Sequence, residues 1–334
     1  MSRSVTRILL IICFIVLVAA VLISLKDVFA FTGYHYDNAD KYTAGGSEIN
    51  GTVRSLDIHW INGKVKLASH SGSTVLVSET SDKPISGDFQ LRWFLDGDTL
   101  RIRFAKDGFR QAAWNNQQKE LLLTLPEGVS WNDVNITSTS ADLVIPSLQA
   151  VSMKLTTTSG DIMAKASAET ISTASTSGDL DLTLSSDARS IRSTSTSGGI
   201  RIEGKNADLL EAVSTSGNIA ITAENVGELK TTSTSGTVQA DVADMGNGQL
   251  SSTSGNITVK AKKLDRLNVH ATSGSIAAWL PAEPGFTANV KTTSGRFEYG
   301  LALARSGSDY VCGDGSGSVT LQTTSGDVRI DPAQ

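Results

Sequence analysis

The chain is short of several things that most functional classes need. Among its 334 residues are two cysteines, Cys13 and Cys312, which excludes a disulfide framework and a cysteine-rich zinc site. Four histidines, His35, His59, His70 and His270, leave little for metal ligation or acid–base chemistry. Charged residues make up 19% and the net charge is −5, so there is no basic face to neutralise nucleic-acid phosphates. Prolines number 6 and aromatics are 6%. What the chain does have is 40% hydrophobic residues, evenly spread, which is unlike a charged disordered chain. It also has 30 glycines. This composition points away from an enzyme.

One long apolar run sets the expected compartment. Residues 8–25, ILLIICFIVLVAAVLISL, carry no charge. At ~1.5 Å per residue they span roughly 27 Å as a helix, close to the hydrocarbon core of a bilayer. Arg3 and Arg7 flank one side, while Lys26 and Asp27 cancel on the other. The charge bias predicts a cytoplasmic tail over 1–7, a transmembrane helix over 8–26, a linker over 27–46 and an extracytoplasmic domain over 47–334. The alternative is a signal peptide cleaved after Ala30, at Val28-Phe29-Ala30, which would release the domain. Ile12 before Cys13 does not suit a lipobox. Cys13 would lie in lipid and Cys312 outside, so they do not pair, and Cys312 is expected as a small buried residue.

The strongest signal is a repeat. Thr-Ser-Gly recurs with its glycine at Gly160, Gly178, Gly198, Gly217, Gly236, Gly255, Gly274, Gly295 and Gly326. Thr139-Ser140-Ala141 is a degenerate earlier copy. The spacing is close to 19 residues until the last interval, where an insertion falls around 305–317. The second residue after each glycine is apolar (Ile162, Leu180, Ile200, Ile219, Val238, Ile257, Ile276, Phe297, Val328), and apolar character usually continues two further on. That alternation is a half-buried strand. Ile171, Ile191, Leu210, Leu229 and Leu267, seven residues before their glycines, mark a second inward-facing strand.

The two strands differ in parity, so the inward face slips at Thr-Ser-Gly. A bend there suits glycine through its tolerance of positive φ. A unit of about 19 residues with two or three short strands is a rung of a β-solenoid. The expected fold is all-β and single-stranded β-helix-like, its rungs ~4.8 Å apart around an aliphatic interior. Residues 47–136 read as irregular early rungs and a cap, 137–300 as regular repeats, and 301–334 as a C-terminal cap closing the other end.

Further matching pieces are Ile61-Asn62-Gly63-Lys64-Val65, Leu125-Pro126-Glu127-Gly128, Leu280-Pro281-Ala282-Glu283-Pro284-Gly285-Phe286 and Gly315-Ser316-Gly317-Ser318-Val319. With the Thr-Ser-Gly-x-Ile units, over roughly Ser47 to Ile330, the chain resembles the bacterial putative-adhesin family with β-strand repeats. That family is of unknown function and includes LiaG-like envelope proteins. The resemblance implies a β-helix-like fold and an adhesin role, and transfers no catalytic residue.

A search for chemistry finds little. Serine catalysis needs a histidine base and an orienting acid, yet His270 is the only histidine in the repeats and no Gly-x-Ser-x-Gly elbow occurs. Acidic or amide residues after several glycines (Asp161, Asp179, Asn218, Asn256, Asp327) suggest turn capping, because Gly199, Thr237, Ser275 and Arg296 break any calcium ladder. A polysaccharide-cleaving β-helix would need clustered carboxylates; Asp181, Glu203 and Asp241 lie near one another in the repeat frame but alternate imperfectly and read as a solvated face. One non-repeat stretch, 106–120, sets Phe109, Arg110 and Trp114 among amide residues. It reads as an end cap or as a loop binding a sugar or peptide surface.

The expectation is a non-enzymatic, membrane-anchored extracytoplasmic adhesin or envelope-binding scaffold, with no cofactor, no metal and no nucleic-acid partner. Its partners would be the membrane through its own anchor and a cell-surface polymer, envelope polymer or membrane protein. The alternatives are an accessory to envelope-stress signalling and a polysaccharide-processing β-helix enzyme.

Overall fold

The computed structural model describes residues 34–85, 87–109 and 117–333. The expected tail and transmembrane helix lie outside the described residues. Among those described, no helix is long and apolar enough to cross a membrane. Two short 3-10 turns, Ala39–Lys41 and Gly87–Phe89, accompany 24 strands joined in one continuous sheet.

Parallel pairing between successive coils builds the solenoid. On one wall, residues 209–214 pair with 228–233, 228–233 with 247–252, and 247–252 with 266–271. On the next wall, 200–203 pair with 219–222, then 238–241, then 257–260. The Thr-Ser-Gly turn joins the two walls. A third stretch, which includes Val226, Met245 and Leu264, closes each coil with another buried column. Ile219, Val238, Ile257 and Ile276 stack one on another and are all nearly inaccessible to solvent. Each such side chain contributes roughly 1.5–3 kcal/mol by burial, but only because a neighbouring rung covers it. Where the column at the seventh position before glycine has Gly248 in place of leucine, Met245 and Leu267 occupy the space: a Cβ there would lie 2.4 Å from the Met245 sulfur.

The turn glycines form a single column, but not for the expected reason. None of the nine has a positive φ. Their constraint is contact: a Cβ on Gly217 would sit 1.9 Å from the Gly198 carbonyl oxygen, and one on Gly236 2.0 Å from that of Gly217. The slip of the inward face is visible beside them. From Gly160 to Gly255, inward residues run in twos down to a buried Ser or Thr three before the glycine, then jump three to the buried glycine itself. The hydroxyl at that third position accepts the glycine N–H, from Thr157 (3.0 Å), Ser175 (2.8 Å), Ser214 (2.9 Å), Ser233 (2.9 Å) and Ser252 (2.8 Å).

Both ends depart from sequence order. The tail does not close the far end as expected. Residues 317–331 insert between the rung 266–280 and the rung 286–299, so the outermost coil is 286–299. Gly326 accordingly stacks on Gly274, and Gly295 on Gly326. The near end mirrors this: Ser55–His70 lies between a terminal coil, formed by the strands Thr99–Arg103 and Lys119–Pro126, and the strand Trp131–Thr156. Antiparallel strands then cover that coil. Arg92–Asp96 runs along Thr99–Arg103, and Val75–Ser81 along Lys119–Pro126. Gly97, at φ +63°, makes the turn between Arg92–Asp96 and Thr99–Arg103.

Candidate functional site

The outward residues of the first wall carry the site. Six and four positions before each glycine, side chains leave the strand toward solvent and stack into two rows. One row runs Arg192, Glu211, Lys230, Gln249, Asn268 and Thr320; the other runs Thr194, Val213, Thr232, Ser251, His270 and Gln322. Between them, from Glu211 to Gln322, lies a shallow trough of about 410 Å³.

Its charge is largely settled within the protein. Glu211 is held by Arg192 at 2.8 Å, and Lys230 by Glu228 at 2.6 Å. Ser251 donates to the Thr231 carbonyl at 3.2 Å. The side chains of Gln249, Asn268, His270, Thr320 and Gln322 make no hydrogen bond among the described residues. They offer donors and acceptors that recur about every 4.8 Å along the rod.

His270 neighbours Ser251 and Gln322 in register. Glu211 is the only carboxylate among the trough residues and lies three rungs from the His270 strand, so an orienting acid does not reach the imidazole. What the trough presents is a set of uncharged hydrogen-bonding side chains, with Gln249, Asn268 and Gln322 the longest of them.

Two overlapping family-model matches cover residues 47–247 and 207–331, both to Toastrack DUF4097. The chain belongs to the Toastrack DUF4097 family. The resemblance drawn from the Thr-Ser-Gly units and the Leu-Pro steps agrees with this membership. No curated protein matches the chain. Two solved structures are similar to this Toastrack chain. One is described as a putative cell adhesion protein from Clostridium sporogenes, at 11% identity and TM-score 0.19, covering 87% of this chain and 100% of the other. The second is described as a putative adhesin from Bacteroides fragilis, at 13% identity and TM-score 0.32, covering 87% and 97%.

The residues singled out by sequence occupy various places in the Toastrack domain. Phe109 is half-buried, stacks on Phe89 at 5.3 Å and pairs with Tyr34 in an antiparallel bridge, so it serves the cap. Arg110 and Trp114 lie outside the described residues. The residues after the turn glycines form a ladder: Asp161 accepts the N–H of Asp179, Asp179 that of Gly199, Asn218 that of Thr237, and Asn256 that of Ser275. Glu203 pairs with Arg201, and Asp241 lies 3.9 Å from Lys260, so these carboxylates face cations. Cys312 is buried beside the Ala282 carbonyl, and burial pushes its thiol up.

Sequence reasoning passed over two features. One is the trough itself, whose outward residues share a register but not a residue type. The other is Lys119, whose side chain is fully buried: Nζ meets Glu79 at 2.6 Å, donates to the carbonyls of Phe104 (2.6 Å) and Phe89 (2.7 Å), and lies over the Phe104, Phe89 and Trp60 rings. Burial lowers its pKa to about 8, against the pull of Glu79. The alternation Lys119, Leu121, Leu123, Leu125 was a readable signal, since it puts the lysine on the inward face.

Asp57 is a second anchor at this end. It meets Arg103 at 2.7 Å, Arg101 at 2.9 Å and His59 at 3.3 Å. Burial opposes its ionisation, but the His59 hydrogen bond and the Arg103 guanidinium hold the carboxyl far below the usual range.

Proposed function

We propose that this Toastrack protein is a non-enzymatic, adhesin-type scaffold of the bacterial envelope, tethered by residues 8–26, whose trough lies along a segment of extended, uncharged polymer. One observation carries the reading: Gln249, Asn268, His270, Thr320 and Gln322 present unpaired polar groups in two straight rows at rung spacing. A polymer laid parallel to the rod meets the same kind of donor and acceptor at each step. The ion pairs Arg192–Glu211 and Lys230–Glu228 leave the trough without strong net charge, which favours a neutral glycan over an acidic one. An extracytoplasmic place is supported by the charge-free run 8–25 and its flanking arginines.

The test is sedimentation of the purified full-length protein with isolated cell-wall polymer and, separately, with a soluble neutral polysaccharide. Replacing Gln249 and Asn268 together by alanine should weaken binding at least roughly tenfold while leaving the melting temperature within about a degree, because both side chains are exposed. Equal binding by the variant and the parent would overturn the assignment of the trough. Capture of a membrane protein, with no polymer bound, would favour the signalling accessory instead.

A further inference from the structure

The two ends of the solenoid are finished differently. At the near end, both walls of the terminal coil are covered by antiparallel strands, which are themselves edged by Thr43–Ala44 and Ser47–Ile49. At the far end, Asp309–Gly313 covers Gly285–Thr292 on one wall and carries Ala304–Ser306 on its own outer side. On the other wall Phe297–Tyr299 pairs with Val328–Pro332 alone.

The direction of its main-chain groups follows from two hydrogen bonds to that neighbouring strand. Val328 N–H donates to Arg296 C=O, and Gly300 N–H donates to Ile330 C=O at 2.8 Å. Even-numbered residues of this strand therefore face the sheet, and the N–H and C=O of Phe297 and Tyr299 face away. Neither residue finds a main-chain partner on that side among the described residues.

The side chains there are unfinished too. Phe297 and Tyr299 occupy the inward columns that hold Val328 and Ile330 one rung below. Ile330 is 0% exposed, whereas Tyr299, with nothing stacked above it, is 50% exposed. Tyr310 leans onto Phe297 at 4.9 Å and reaches Tyr299 only at 6.1 Å. An open edge beside the exposed end of an apolar core is a pairing surface.

We propose that its occupant is a second copy of this chain, joined tail to tail by antiparallel pairing of Phe297–Tyr299 with the same strand about a twofold axis. The register follows from the outward groups. Phe297 opposite the partner's Phe297 is a hydrogen-bonded pair and brings two aromatic core ends together. The same register sets Arg296 opposite the partner's Glu298, and Glu298 opposite the partner's Arg296, on the solvent face. Opposite charges across strands favour such a pair. The Arg296 guanidinium is 78% exposed and its pairing with Asp327, at 3.7 Å, is loose enough for it to reach that contact as well. Because the twofold axis pairs this strand with itself, the contact uses up the edge on both copies and the association closes at two.

The experiment is sedimentation velocity of the full-length protein in detergent, across a concentration series. The parent should show a concentration-dependent dimer. Arg296→Glu or Glu298→Arg alone places like charges opposite each other twice over and should weaken self-association roughly tenfold or more. The double variant Arg296→Glu/Glu298→Arg restores opposite charges and should regain the parent's dimer. Both residues are exposed, and circular dichroism should report the same fold throughout. A direct check is Phe297→Cys with Cys13→Ser, which should form an intermolecular disulfide on oxidation. A monomeric parent, a dimer indifferent to both single reversals, or a double variant that stays as weak as the singles would each overturn the proposal. A monomer that instead takes up a foreign strand at this edge would overturn it as well.

Discussion

The regular rungs and the near end bury polar groups in opposite ways. From Thr137 onward, every buried polar residue is a serine or a threonine, such as Ser175, Ser214, Ser233 and Ser252. At the near end the buried polar set also holds Asn62, Arg103, Gln117 and Lys119. The difference lies in what stands next door. A rung in the body has another rung above and below, so its main chain is satisfied by copies of itself and needs only one small hydroxyl for the turn. The terminal coil has no copy beneath it. Its Phe104 carbonyl, and that of Phe89 in the adjoining 3-10 turn, receive the Lys119 ammonium instead, and the cation is balanced by Glu79. The glycine column shows the same rule. A Cβ on each turn glycine would point at the carbonyl of the rung on its near side, and the column reaches Lys119 through Gly63. Lys119 is the first of the column, with no rung before it, and there alone a long side chain fits.

The sharpest way to break this comparison is to add one carbon to the body. Gly217→Ala brings a Cβ to 1.9 Å from the Gly198 oxygen, with main chain on both sides and nothing flexible to yield. The loss should exceed about 4 kcal/mol and is expected to show as failure to reach a cooperative melt. Gly199→Ala is the control, because its nearest neighbour would be 3.5 Å away, and the melting temperature should barely change. Equal tolerance of both substitutions would mean that the rungs shift freely past one another.

At the near end the matching experiment is Lys119→Met. It keeps the volume but leaves the Glu79 carboxylate buried without its cation, at a cost of about 3–5 kcal/mol. Lys119→Met with Glu79→Gln should recover part of it. The pH dependence gives a signature that packing alone would not. The lysine titrates at about 8 in the folded chain and at its ordinary 10.5 when unfolded. Between those values the unfolded chain binds more protons, so this group makes stability rise with pH through that window. Denaturant titrations from pH 8 to 10.5 should show that slope in the parent and lack it in Lys119→Met.

These two experiments also mark what could be read in the sequence. The body was legible because each rung repeats the same local rule: Ile219, Val238 and Ile257 announce one column, and the glycines another. The reason for glycine was not legible, because a contact between rungs has no trace within one rung. Nor was the order of the last coils, since 317–331 carries the same Thr-Ser-Gly signature as its neighbours and would fit equally well outside 286–299. The near end hid its anchors for the opposite reason. Lys119 and Asp57 are single residues whose burial depends on strands tens of residues away, and a charged side chain is ordinarily taken as exposed. The trough rows follow from the rung register, but Glu211, Lys230, Gln249 and Asn268 share no chemistry that would flag them as a set.

The smallest effect sharpens the picture of the body. Ser214 is buried and its hydroxyl accepts the Gly217 N–H at 2.9 Å. Alanine there leaves that amide without its acceptor, and the expected cost is about 1–2 kcal/mol, read as a drop in the denaturation midpoint. Ser195 holds the equivalent place one rung earlier and is also buried, yet its hydroxyl has no hydrogen-bond partner among the described residues. Ser195→Ala should therefore be close to neutral, or mildly stabilising, because it removes an unsatisfied buried group. A full-sized loss at Ser195 would show that the serine column contributes through packing rather than through capture of the turn amide. A loss at Ser214 alone ties the stability of each rung to one hydroxyl placed three residues before a glycine that cannot carry a side chain.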